Sequence, residues 1–127
     1  MYNKVIYFFL VFNLVFFGIV GCTTETSATQ EMAQALMKLD NNSDLFLFES
    51  ILYKKVKTVN EAEFKSVDTT LYGEISMEHN KSTKKFKSGM ASVLPPGTKL
   101  FRSIENPEYV YSSEKGNYTM YKSVPEG

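Results

Sequence analysis

A single cysteine, Cys22, stands at the end of the longest apolar run of the chain, Val5 to Val20, with only Gly21 between them. This placement constrains the fold more than any other feature. With no second cysteine in 127 residues there is no intramolecular disulfide, so whatever folds is held by packing alone. The run also divides the chain. Without residues 1 to 21, which carry Lys4 as their only charge, 106 residues remain, thirteen of them basic and fourteen acidic. One small domain is the natural count. A balance this close to neutral argues against a general electrostatic grip on nucleic acid, and no such partner is expected.

Lys4, the apolar run and the small residue before Cys22 are the three parts of a secretory signal peptide. Ile19-Val20-Gly21-Cys22 also resembles a bacterial lipobox, in which the cysteine sulfur receives a diacylglycerol and the preceding peptide is cleaved. The expectation is a signal peptide over residues 1–21 and a lipidated Cys22 that holds the protein on the outer face of the cell membrane. The alternatives are an uncleaved transmembrane helix and an ordinary cleaved signal. The sixteen residues from Val5 to Val20 fall short of the ~20 that a span requires, and no basic stop-transfer cluster follows in Thr23-Thr24-Glu25-Thr26-Ser27. Residues 22–29, small and polar, predict a flexible tether, and residues 30–127 a single mainly-β domain.

Met32, Ala35, Leu36 and Leu39 recur at helical spacing and predict a short amphipathic helix from Gln30 to Leu39, ended by Asp40-Asn41-Asn42-Ser43. Leu45-Phe46-Leu47-Phe48 and Ile51-Leu52-Tyr53 flank Glu49-Ser50 as two strands around a tight turn, the first apolar on both faces and therefore central. Asn60 can cap a helical turn over Glu61 to Phe64. Strands are predicted at Thr70–Ser76 and Thr98–Arg102, with Leu94-Pro95-Pro96-Gly97 as a turn and residues 78–92 as a long polar loop. The clearest hairpin joins Glu108–Ser112 to Tyr118–Lys122. Eleven Phe and Tyr residues after Cys22 suit half-buried strands. The fold class is α+β, mostly β: a small antiparallel sheet or partial barrel of about six strands with one or two short helices.

Three stretches carry a resemblance: Asp44 to Val56, Tyr72-Gly73-Glu74-Ile75, and Leu94-Pro95-Pro96-Gly97-Thr98-Lys99-Leu100-Phe101. Together they resemble landmarks of a group of small secreted and lipid-anchored proteins of Gram-positive bacteria, over most of residues 44–121. Glu49-Ser50 stands where that group would have Asn-Gly. The resemblance implies an address and brings no activity with it.

Residues that could carry chemistry are sparse. His79, the only histidine, lies beside Glu78, but one histidine and no available cysteine make a poor zinc site, and a solvated loop residue is the plainer reading. Glu74 and Glu108 could act as a carboxylate pair only if the fold brought them together. No Gly-x-Ser-x-Gly elbow is present. No metal and no cofactor are expected. Two sets remain as a binding surface: Lys81, Lys84, Lys85 and Lys87 interleaved with Phe86, suited to anionic headgroups or envelope polymers, and Tyr109, Tyr111, Tyr118 and Tyr121, suited to a glycan or peptide. Each has a plain alternative, a solvated edge guard for the lysines and cross-strand packing for the tyrosines. The expectation is a non-enzymatic binding module, held on the membrane by its lipid and facing a protein or an anionic envelope polymer. A small extracytoplasmic enzyme or enzyme-inhibitor domain is the alternative.

Overall fold

A computed structural model describes residues 27–79 and 85–125. Residues 1–21, expected to be a signal peptide, together with Cys22, Lys81 and Lys84 lie outside these residues. The elements are α1 (Ser27–Leu39), β1 (Leu45–Phe48), β2 (Ile51–Val59), α2 (Glu61–Ser66), β3 (Thr69–Glu74), β4 (Met77–Glu78), β5 (Met90–Ala91), β6 (Lys99–Ser103), β7 (Tyr109–Glu114) and β8 (Asn117–Ser123). All eight strands belong to one sheet, in the order β3-β6-β7-β8-β2-β1-β5-β4, curled into an open half-barrel. The mostly-β class with two helices is as predicted. The two strands beyond six are β4 and β5, each two residues long and too short to leave a periodicity in sequence.

β1 decides the layering because both of its faces are apolar. Phe46 points into the curl, stacked on Tyr53 at 4.8 Å and edge-on to Tyr121 at 4.9 Å, with Ile75, Leu100 and Val110 completing that core. Leu45 and Leu47 face the other way, onto Ala33 of α1, Leu52, Phe86 and Met90. One strand therefore serves two cores, one inside the curl and one under α1. The β1–β2 turn has positive φ at both central residues, 49° at Glu49 and 63° at Ser50, as a two-residue type I′ hairpin requires. Lys115 and Gly116 do the same between β7 and β8, so the predicted five-residue loop is a two-residue turn.

Two boundaries are corrected. Residues 27–29, predicted as tether, form the first turn of α1: Thr29 is buried, and its hydroxyl donates to Ser50 O at 3.5 Å. Helix formers and the buried Thr29 and Ala33 extend the helix beyond what the narrow Met/Leu stripe indicates. Residues 78–92 are not simply a loop, because Glu78 ends β4, Met90–Ala91 forms β5, and Phe86 is fully buried. α1 ends as predicted, with Asp40 Oδ1 accepting from the Asn42 N–H at 2.9 Å. Asn60 caps α2, its side chain accepting from the Glu63 N–H at 2.7 Å.

The stretch from Thr69 to Glu78 supplies both edges of the sheet. It pairs with β6 as β3, turns inward at the buried Ile75, and then runs parallel to β5 as β4. Through the turn the Ile75 N–H donates to Thr98 O at 2.9 Å and the Ser76 N–H to Gly89 O at 3.0 Å. Across the curl the Tyr53 hydroxyl donates to the Tyr72 hydroxyl at 3.1 Å, and Arg102 lies 4.5 Å over the Tyr72 ring.

Candidate functional site

Strand alternation sorts the tyrosines of the last hairpin. Tyr109 pairs with Lys122, Tyr111 with Met120, and Ser113 with Tyr118, so these side chains share the outer face of the sheet. Tyr121 pairs with Val110 on the inner face, is fully buried, and donates its hydroxyl to Asp44 Oδ1 at 2.7 Å. It is a core residue and takes no part in an outer surface. Tyr109 and Tyr111 thus lie on one face of β7, while Tyr118 and Tyr121 fall on opposite faces of β8.

α2 lies over the same outer face. Its Phe64 stacks on Tyr118 at 4.4 Å and meets Phe101 and Tyr111 edge-on at 5.6 and 5.9 Å. The helix buries no residue fully. Phe64, the Asn60 cap and the 2.7 Å Lys57–Glu63 ion pair hold it, and because that pair is solvent-exposed the ring contacts carry most of the hold. Tyr118 is thus engaged in packing a helix, a role different from the cross-strand packing and the ligand surface weighed for it in sequence. Tyr111 meets Phe64 edge-on and is itself buried, so only its margin reaches the surface.

Beyond the end of α2 a depression of about 360 Å³ opens, with Tyr109, Tyr111 and Met120 beside the loop residues Ser103, Glu105 and Asn106 and the helix exit Ser66, Val67 and Asp68. Its walls are tied down locally. The Ile104 N–H donates to Asp68 O at 2.9 Å, the Asn106 N–H to Ser103 Oγ at 3.1 Å, the Tyr109 N–H to Asn106 O at 2.9 Å, and Arg102 Nε to Pro107 O at 3.1 Å. Lys122 Nζ lies 5.6 Å from the Tyr109 ring centroid. Burial, helped by the nearby Glu63 carboxylate, lifts the Tyr111 phenol above its ordinary value. The depression therefore offers aromatic faces, one thioether and two carboxylates, Asp68 and Glu105. This combination accepts ammonium, guanidinium or hydroxyl groups over a ring and disfavours anions.

The other predicted residues are dispersed. Lys85 and Lys87 are exposed, whereas Phe86 between them is buried in the cluster under α1 and stacks on His79 at 4.5 Å. The lysine run therefore has no surface aromatic. His79, predicted as solvated, has both ring nitrogens buried, and its backbone N–H donates to Ala91 O at 2.8 Å. Glu74 aligns through Lys99 with Ser113, five residues along β7 from Glu108, about 16 Å at the strand rise. The fold thus does not join the two carboxylates named as a catalytic pair. Among the described residues no three His, Cys, Asp or Glu side chains gather where a metal ion could be held. A second depression, of about 350 Å³, lies between the end of α1 and β2, lined by Leu36, Leu39, Asp44, Lys54 and Val56 among others.

Tyr109 and Tyr111 are legible from alternation alone. Met120 joins them through the hairpin register that pairs it with Tyr111, a signal the sequence holds, whereas Asp68 and Glu105 arrive only when the α2 exit and the β6–β7 loop close over the sheet. No protein-family model, no curated protein and no solved structure matches the chain.

Proposed function

We propose that this chain is a bacterial lipoprotein, held at the outer face of the cytoplasmic membrane through Cys22, whose domain is a non-enzymatic binding module that takes a protein partner in the Tyr109/Tyr111 depression. The anchor rests on Ile19-Val20-Gly21-Cys22 at the end of the apolar run. The observation that carries the binding reading is the depression itself: the half-exposed Tyr109 and the edge of the buried Tyr111 with Met120, beside Asp68 and Glu105 at the end of α2. A lysine or arginine side chain of a partner would lie against the half-exposed Tyr109 ring and meet the carboxylates, whereas an anionic envelope polymer would be repelled there.

A photo-crosslinking residue in place of Tyr109, in the acylated full-length protein in intact cells, tests this. The expected result is one adduct of defined mass, lost when Asp68 and Glu105 are both changed to Lys and absent when the crosslinker replaces the exposed Thr70 on β3. Equal capture from both positions, or capture indifferent to the two carboxylates, would remove the depression from the reading. Cys22→Ala separates the anchor from the site: it should move the protein to the soluble fraction and leave the fold intact.

A further inference from the structure

The geometry points to a membrane-facing pole, in which exposed Lys85 and Lys87 contact the phosphates of anionic phospholipid headgroups; this rests on the lipid-anchored reading above. The argument starts from where the described chain begins. Between Cys22 and Ser27, the first residue of α1, lie five residue steps, which span at most about 18 Å fully extended. Because α1 starts this early, the pole that carries its first turn is held close to the headgroups.

That pole can be identified through contacts. The Thr29 hydroxyl donates to Ser50 O in the β1–β2 turn at 3.5 Å, and the neighbouring Glu49 N–H donates to Ser88 Oγ at 3.1 Å. Ser88 directly follows Lys87. The backbone of the same segment is fastened to β1, with the Gly89 N–H donating to Leu47 O at 2.7 Å. Phe86 fixes the segment further, because it is buried in one cluster with Ala33, against which Met32 of α1 also packs. A residue whose neighbours on both sides are exposed while its own ring is fully buried turns those neighbours outward together. Lys85 and Lys87 are thereby presented beside the first turns of α1, on the side from which the chain departs toward Cys22. Glu49, exposed at the turn, and Glu31, exposed early in α1, are the opposing charges on this pole, so the contact is a local one made by the two lysine ammonium groups and not the effect of a net positive field.

Each lysine near an anionic surface changes the docked population about fivefold, and the effect fades beyond a Debye length of about 8 Å at physiological salt. The short tether makes this effective by keeping the pole within reach. The contact orients the domain; the acyl chains supply the affinity.

Amine-reactive footprinting of the acylated full-length protein tests the inference, in vesicles of phosphatidylglycerol with phosphatidylcholine and in vesicles of phosphatidylcholine alone. Lys85 and Lys87 should react roughly fivefold more slowly in the anionic vesicles, while Lys115 in the β7–β8 turn and Lys99 on β6 react equally in both, and added salt should erase the difference. Co-flotation with both vesicle types and unchanged Lys85 and Lys87 reactivity would overturn the pole and leave the anchor standing. Failure to co-float at all would overturn the anchor. Equal protection of the Cys22→Ala protein by a soluble glycerol-phosphate polymer would reassign the lysines to that polymer and also overturn the inference.

Discussion

Glu49 and Ser50 occupy backbone positions that neither residue favours. At φ of 49° and 63° an L side chain costs about 1 kcal/mol or more relative to Asn or Gly, yet the hairpin forms because β1 and β2 pair over all four residues of β1 and bury Phe46, Leu47, Leu52 and Tyr53. Glu49→Asn with Ser50→Gly should therefore raise stability by about 1–2 kcal/mol in urea unfolding with no change in the slope, since the Ser88 contact is made by the backbone N–H of residue 49 and survives the change; a lower midpoint would mean that the turn carries no strain to relieve. Asp44 is the second residue with a testable cost. Burial is the leading influence on its carboxyl and raises it above the ordinary 3.8, against the Tyr121 hydroxyl and Lys55, which lower it. A raised value in the folded state means that its contribution is full below 3.8 and is lost as pH rises through the folded value. Asp44→Asn keeps an oxygen for the Tyr121 hydroxyl, so it should match wild type in acid and exceed it in stability toward neutrality. Unfolding titrations across that pH range read the difference, and an Asn variant weaker at neutral pH would contradict it. The turn was legible in Glu49-Ser50 as a location, from the apolar runs on either side. Its type was not, because neither residue advertises positive φ.

At the scale of elements, α2 depends on one side chain. Phe64→Ala removes its contacts with Phe101, Tyr111 and Tyr118 and should cost about 2 kcal/mol, below the full core value because Phe64 is only half-buried; hydrogen exchange should show residues 61–66 opening before the sheet does. β3 depends on an absent side chain. A Cβ at Gly73 would fall 2.2 Å from Phe48 Cζ, so Gly73→Ala forces the Phe48 ring off Tyr72, which it meets edge-on at 4.7 Å. The expected loss is about 1–3 kcal/mol, and Phe48→Leu should recover part of it in a double-mutant cycle; simple additivity would show that the clash is absorbed elsewhere. The glycine could be read from sequence as a close approach, since a strand residue without a side chain points there. Its partner could not, because Phe48 lies twenty-five residues earlier on a strand that does not pair with β3. Phe86 is the converse case. Polar and basic neighbours on both sides hide a fully buried ring, and only the fold of α1 over β1 supplies the pocket it fills.

For the whole molecule, the mostly-β class was legible because alternation and turn chemistry are local, and the inner and outer positions of the last hairpin followed from register alone. What was not legible depends on distant segments meeting: the depression beside α2, the seat of Phe86, and the two short strands β4 and β5. Phe86→Ala should cost about 3–5 kcal/mol and loosen α1 together with residues 85–89, which protease sensitivity near both would reveal; a loss confined to one of them would mean that the two are not coupled. The single stretch that forms both edges of the sheet has a further consequence. In most open sheets the two outermost strands come from unrelated parts of the chain and can detach one at a time. Here one cut between Ser76 and Met77, both exposed, would unfasten both seams at once and leave two unpaired strand templates, β6 and β5, on the same molecule. Nicked protein should therefore assemble edge to edge far more readily than any point variant of comparable stability, and an added peptide copying residues 69–78 should suppress that assembly by filling both seams.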